Sequence, residues 1–149
     1  ARYEVAVEGE AEAVLLKPAN LQEEQWLPAH VLDTAIKGDA QAVAAWLDEG
    51  GGVDARCVDV EGTPTLLMAG AMAGQEAVVR MLLQRSASVH LQDSYNGTTA
   101  LMAAALYGHT TTVQSLLDGK ADTSLQATNG RTALMAAEQK KHTATAQLL

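Results

Sequence analysis

Four histidines, one cysteine and a scatter of carboxylates are the groups in this chain able to do chemistry, and their spacing limits what they can do. His109 and His142 lie 33 residues apart, while His30 and His90 are isolated from them. Zinc sites draw on closely spaced Cys and His ligands, and no such cluster occurs. Cys57 has no histidine near it in sequence, so it lacks the base a thiol nucleophile needs and reads as incidental. Glu61, Glu76 and Glu138 fall in separate segments and form no acid–base pair. Gly50-Gly51-Gly52 lacks the preceding strand and the following Gly-Lys-Ser/Thr of a phosphate loop. It reads as a helix stop, where glycine adopts a left-handed backbone, and Gly119-Lys120 reads similarly. No active site, metal or cofactor is expected, and the chain is not expected to be an enzyme.

The elements that carry these residues repeat. Thr99-Ala100-Leu101-Met102-Ala103-Ala104 recurs 33 positions later as Thr132-Ala133-Leu134-Met135-Ala136-Ala137, with a looser copy at Thr65-Leu66-Leu67-Met68-Ala69-Gly70. The same period relates Gly97 to Gly130, His109 to His142 and Leu116 to Leu149. Self-similarity at this period signals a stacked array, in which each unit buries its apolar side only against its neighbours. Within a unit, Leu101, Ala104 and Ala105 have helical spacing, as do Val113, Leu116 and Leu117 after a break at Gly108-His109. Each unit is therefore two short helices joined by a turn. Helices of about two turns are marginal alone, so packing between units must hold them. Alanines of the first helix (Ala35, Ala71, Ala104, Ala105, Ala137) permit close approach, and Leu, Val and Trp of the second fill the space between layers.

These residues resemble the ankyrin repeat family. The third unit carries Gly97, Thr99, Leu101, Ala104, Ala105, Gly108, His109, Val113, Leu116, Leu117, Ala121 and Asp122 at the family's places. The second offers Thr65, Leu67, Ala71, Gly74, Val79, Leu82, Leu83, Ala87 and Val89, and the first offers Ala35, Gly38, Asp39, Val43, Leu47, Gly50, Val53, Asp54 and Ala55. The resemblance implies an α-solenoid with repeats at about 28–58, 59–92, 93–126 and 127–149, the last cut within its second helix. It implies a structural role for His109 and His142, and it places Trp46 at a core leucine position between layers. The family's Pro-His pair is replaced by Leu66, Ala100 and Ala133, and by Met68, Met102 and Met135. Apolar packing of methionine is expected to stand in for the histidine's turn-bracing bonds. Spacing runs 36 residues from Gly38 to Gly74, 34 from Gly74 to Gly108 and 33 from Gly108 to Lys141. The surplus residues should sit in turns near Asp59–Thr63 and at Asn96.

Residues 1–27 have another texture. Tyr3, Val5 and Val7 alternate with Arg2, Glu4 and Ala6, and an apolar run Val14-Leu15-Leu16 follows Gly9, which reads as a β-hairpin. The strings Arg2–Glu8 and Leu16–Leu21 resemble the closing strands of a small SH3-like barrel module. A lone hairpin is marginal, so residues 1–27 are expected to cover the apolar edge of the first repeat, with Trp26 as anchor and Pro28 in the first turn of the following helix.

Composition agrees with thin layers rather than one large core, since the chain has 48% hydrophobic residues but no Phe, two Trp and three Tyr. No apolar run is long enough to span a membrane, and no targeting signal stands out. The lone cysteine favours a reducing compartment, so an intracellular setting, cytoplasmic or nuclear, is expected. The start at Ala1 and the end within a helix suggest a segment of a longer protein. Residues 1–61 hold thirteen acids and four bases, a net −9, against +1 for residues 62–149. Acidic surface repels phosphate, and Lys and Arg nowhere cluster with aromatics, so neither nucleic acid nor membrane is an expected partner.

By resemblance, contacts come from turn tips and the exposed side of each first helix. That nominates Ile36 and Lys37; Asp59, Glu61 and Met72; Tyr95, Thr98, Leu106 and Tyr107; and Arg131, Glu138 and Gln139. Tyr95 and Tyr107 lead, because tyrosine joins apolar area to a polar tip. The expected function is noncatalytic binding of a partner protein or peptide. The alternatives are a regulatory or targeting segment of a larger enzyme, and homotypic association through the severed last repeat near Ala146, Leu148 and Leu149.

Overall fold

A computed structural model describes residues 26–149 together with the paired backbone segments β1 (Val5–Ala6) and β2 (Val14–Leu15). β1 and β2 run antiparallel, with Val5 opposite Leu15 and Ala6 opposite Val14. The other residues of the SH3-like resemblance lie outside the described residues. From residue 29 the chain forms helix pairs: α1 (Ala29–Lys37) with α2 (Ala40–Asp48), α3 (Leu66–Met72) with α4 (Glu76–Gln84), α5 (Ala100–Leu106) with α6 (Thr110–Asp118), and α7 (Ala133–Gln139) with α8 (Thr143–Leu148). The first helices pack side by side in one layer and the second helices in another.

Threonine starts three of the four first helices. Thr65, Thr99 and Thr132 are N-caps whose hydroxyls accept from the N–H of Met68, Met102 and Met135 at 3.2–3.3 Å, satisfying donors that a helix start leaves orphaned. Pro28 sits one residue earlier than expected: it is the N-cap of α1, extended at φ −65 and ψ 142, and its carbonyl accepts from Val31 and Leu32. Just before it, Trp26 bridges parallel to Arg56, the Leu27 N–H donates to the Arg56 carbonyl at 3.1 Å, and the Leu27 side chain is fully buried. These two residues lie against the first repeat.

The alanine rule holds in space. Ala35, Ala71, Ala104, Ala105 and Ala137 are wholly buried between first helices, while Val43, Val79, Leu82, Val113 and Leu116 are wholly buried among the second. Trp46 departs from expectation. It occupies the place of Leu82 and Leu116 but is only partly buried, lying flat over Gly51, where an added Cβ would meet its ring at 2.5 Å. Among the described residues no earlier helix pair covers the indole. Met68 and Met102 are buried as expected, whereas Met135 is half exposed because no further first helix lies over it among the described residues.

The histidines tie one repeat to the next. His109 Nε2 bonds the Met72 carbonyl at 2.9 Å and His142 Nε2 the Leu106 carbonyl at 3.2 Å, while in the second repeat Gln75 Nε2 donates to the Ile36 carbonyl at 2.9 Å. Each side chain crosses a glycine of the preceding repeat with positive φ: Gly38, Gly74 or Gly108. A Cβ at Gly74 would stand 2.5 Å from His109 Nδ1. The glycine is thus required twice, for its backbone and for its missing side chain.

Candidate partner-binding surface

The long turns between repeats are hairpins whose base is closed by a backbone bond from Cys57 to Pro64, from Asp93 to Thr98, and from Ala127 to Arg131. They enclose six, four and three residues respectively, so the surplus residues inferred from the spacing sit at the turn tips. Methionine at the family's histidine place provides no polar brace, and other side chains hold the turns. Arg56 donates to the Thr63 and Gln92 carbonyls at 3.2 and 3.1 Å, and Gln92, one repeat on, donates to the Gly97 and Gln126 carbonyls, both at 2.8 Å. Each spans its own hairpin and the next. Asp93 accepts from the backbone N–H of Tyr95, Asn96 and Thr98 at 2.8, 2.8 and 3.1 Å. Successive tips are then linked by Ser94 N–H to the Gly62 carbonyl at 2.8 Å and Thr128 N–H to the Asn96 carbonyl at 2.9 Å. A rigid rail of turns results, standing over the first-helix layer.

Between rail and helices runs a groove of about 270 Å³ lined by Leu32, Ile36, Val60, Glu61, Gly62, Pro64, Met68, Ala69, Met72, Asp93, Tyr95, Asn96, Thr98, Thr99 and Ala103. Ile36, Glu61, Met72, Tyr95 and Thr98 of the nominated set meet here. A smaller hollow of about 100 Å³ continues it, with Thr98, Leu106 and Arg131 beside Asn96, Met102, Ala127, Asn129 and Ala136. Val60, Met72 and Tyr95 are exposed at 39, 42 and 69%, so large apolar side chains face solvent around one groove. Glu61 is exposed and makes no hydrogen bond or ion pair to the described residues.

Other nominated residues lie elsewhere. Lys37 is exposed and paired with Asp33 at 2.5 Å, and Asp59 and Gln139 are exposed but line neither hollow. Tyr107 caps α5 and stacks beside His109, their ring centroids 6.2 Å apart. Glu138 lines a separate depression with Leu134, Lys141, His142, Thr143, Ala146 and Gln147 on the last helix pair, on a side that no other helix covers among the described residues. Sequence reasoning missed Leu32, Val60, Asp93 and the brace residues Arg56 and Gln92. Val60 was signalled by an apolar residue within the long 59–63 turn; the braces had no signal, because one of the two carbonyls each reaches lies more than thirty residues away.

Among the described residues no three His, Cys, Asp or Glu side chains come together as metal ligands, and no helix is long and apolar enough to cross a membrane. Cys57 is wholly buried, and burial pushes its thiol above the usual 9.0, so it stays protonated at neutral pH. Asp122 is held below the ordinary carboxylate value by hydrogen bonds from the Ser124 hydroxyl and N–H at 2.6 and 2.8 Å, within an exposed turn.

A stack of helix pairs carrying a rail of hairpin turns and a solvent-facing groove defines a repeat protein built for contact, and the chain belongs to the ankyrin repeat family, which it matches as ankyrin repeats (3 copies) over residues 29–127 and 67–149. Ankyrin repeats are protein–protein interaction modules. Among curated proteins the chain is 42% identical over 65 residues to the ankyrin repeat and SAM domain-containing protein 6 of Rattus norvegicus, and 40% identical over 65 residues to that of Mus musculus. Each alignment covers 44% of this chain and 7% of the relative's length. The family match begins at residue 29 and lends no support to the SH3-like resemblance before it.

Proposed function

We propose that the chain binds a partner protein or peptide through the groove between the turn rail and the first-helix layer. The observation that carries this is the convergence of exposed Val60, Met72 and Tyr95 with Ile36 on one groove, since contiguous exposed apolar surface marks interaction sites. Leu106 and Arg131 extend the surface, and Tyr107 with Lys37 and Asp59 would touch only a partner wide enough to pass beyond the groove. Selection of displayed linear peptides on the whole chain tests the reading. Titration of the selected peptides should show Tyr95→Ala weakening binding about tenfold, as for an aromatic hot spot. Undiminished binding to Tyr95→Ala and Met72→Ala together would overturn it.

Homotypic association is the second reading, favoured by Leu134, Met135 and Leu148, all exposed at 37–51% on the last helix pair. Light scattering over a concentration range decides it, a constant monomer mass being the negative result. A regulatory or targeting role within a larger enzyme would use the same groove on an intramolecular segment. A catalytic domain in the flanking sequence would favour that role.

A further inference from the structure

We infer that the groove's occupant is an extended basic–apolar segment of a partner protein, in which one arginine sits between the Glu61 carboxylate and the Tyr95 ring while the residue two positions along seats an apolar side chain on the floor. This rests on the groove being the binding surface and adds the chemistry of what fills it. Glu61 and Tyr95 are neighbours across two turns: the Gly62 carbonyl accepts from Ser94 N–H at 2.8 Å, and a Cβ at Gly62 would lie 3.5 Å from the Tyr95 Cβ. The hydroxyls of Thr63 and Ser94 join at 3.0 Å and hold the two tips in register. Glu61 carries its charge without a partner among the described residues, and the other acid of the groove, Asp93, adds the same sign.

Lys37, the nearest cation on α1, is already held by Asp33, and Arg56 is engaged by two carbonyls. The groove lining holds Glu61 and Asp93 and no Lys or Arg, so acid dominates it, and the repeat that leads into it is acidic as a whole. A planar guanidinium both pairs with a carboxylate and stacks on an aromatic face, which an ammonium does less well. Below the rim the floor is apolar: Leu32, Met68, Ala69 and Ala103 have at most 8% exposure. In an extended chain, residues two apart point the same way, about 6.6 Å from each other, so arginine and anchor can face the groove together. A phosphorylated or acidic peptide would meet like charge at Glu61.

Random linear peptides displayed and selected on the whole chain at low salt provide the probe, with the enriched sequences synthesised and titrated. Enrichment of Arg followed two residues later by an aliphatic or aromatic residue is expected. Glu61→Gln should weaken those peptides about threefold, as for an exposed ion pair, with the loss shrinking at high salt. Glu61→Lys should weaken them further, and Tyr95→Ala by about tenfold. Unchanged melting temperatures would show that these exposed substitutions leave the fold intact. Selected peptides that lack a basic residue and ignore Glu61→Gln, yet fail on Met72→Ala, overturn this inference and leave the groove reading standing. Peptides indifferent to all these substitutions, or no enrichment at all, overturn both.

Discussion

Thr112 is a buried residue whose hydroxyl has no hydrogen-bond partner among the described residues. A desolvated, unpaired hydroxyl is costly, and the corresponding place in the second repeat, 34 residues earlier, holds the equally buried Val78. Thr112→Val should therefore stabilise the protein by about 1 kcal/mol, read as a rise of about 2–4 °C in calorimetry. Ser86 and Lys120 close α4 and α6 with φ of 63 and 67, where the first repeat uses Gly50 at φ 102. Relief of the side-chain clash, reduced by glycine's greater freedom in the unfolded chain, predicts a gain of about 0.5–1 kcal/mol for Ser86→Gly or Lys120→Gly in urea titration. Cys57 is shielded and its thiol pKa raised by burial. A thiol reagent at pH 8 should label it only at the rate of unfolding, and rapid labelling of native protein would contradict the packing. Because a raised pKa favours the protonated form in the fold, this group's contribution is complete below the ordinary thiol value and is lost as pH rises through the elevated one.

At the scale of elements, what joins helix pairs is the His or Gln side chain lying across a glycine of the preceding repeat. Gly74→Ala should be severe, about 2–4 kcal/mol, because strain at φ 68 adds to collision with the His109 ring. Gly130→Ala should cost only about 1–2 kcal/mol, since Gly130 shares the positive φ but would meet nothing within 4 Å. Comparing the two unfolding midpoints separates backbone strain from steric collision. The second repeat already uses Gln75 to reach the Ile36 carbonyl. His109→Gln should therefore be tolerated, whereas His109→Ala abandons the Met72 carbonyl and should cost about 0.5–1.5 kcal/mol, since that bond is exposed.

For the whole molecule, stability is the sum of thin layers and their interfaces. Leu116 is wholly buried in α6, which packs against α4, α5 and α8. Leu116→Ala should remove about 2–5 kcal/mol, a large part of the total for a domain this size. Hydrogen exchange should then show protection lost most in the third and fourth repeats and least in the first two. Equal loss across all four would mean that the array unfolds as one cooperative unit.

Much of this architecture was legible in one dimension, because each repeat meets the same neighbours at the same places. The return of Thr-Ala-Leu-Met-Ala-Ala, the alanine positions of the first helices, and Gly74 and Gly108 under the His109 and His142 of the following repeats all report local or next-repeat packing, which the period encodes. Trp46 was misjudged because its place in the pattern is regular while its neighbours, at the edge of the described stack, are not. The grouping of Ile36, Glu61, Met72 and Tyr95 was only partly visible. The family resemblance nominated each from its own repeat but could not separate them from Lys37, Asp59 and Gln139, whose nominations rested on the same carry-over. Sequence alone determined the repeat, the helix pairs and where surplus residues enter. Tertiary structure decided how far the tips lean over the helices, which carbonyls Arg56 and Gln92 reach, and so which exposed side chains share a groove, because those distances are set by side chains from adjacent repeats meeting in space.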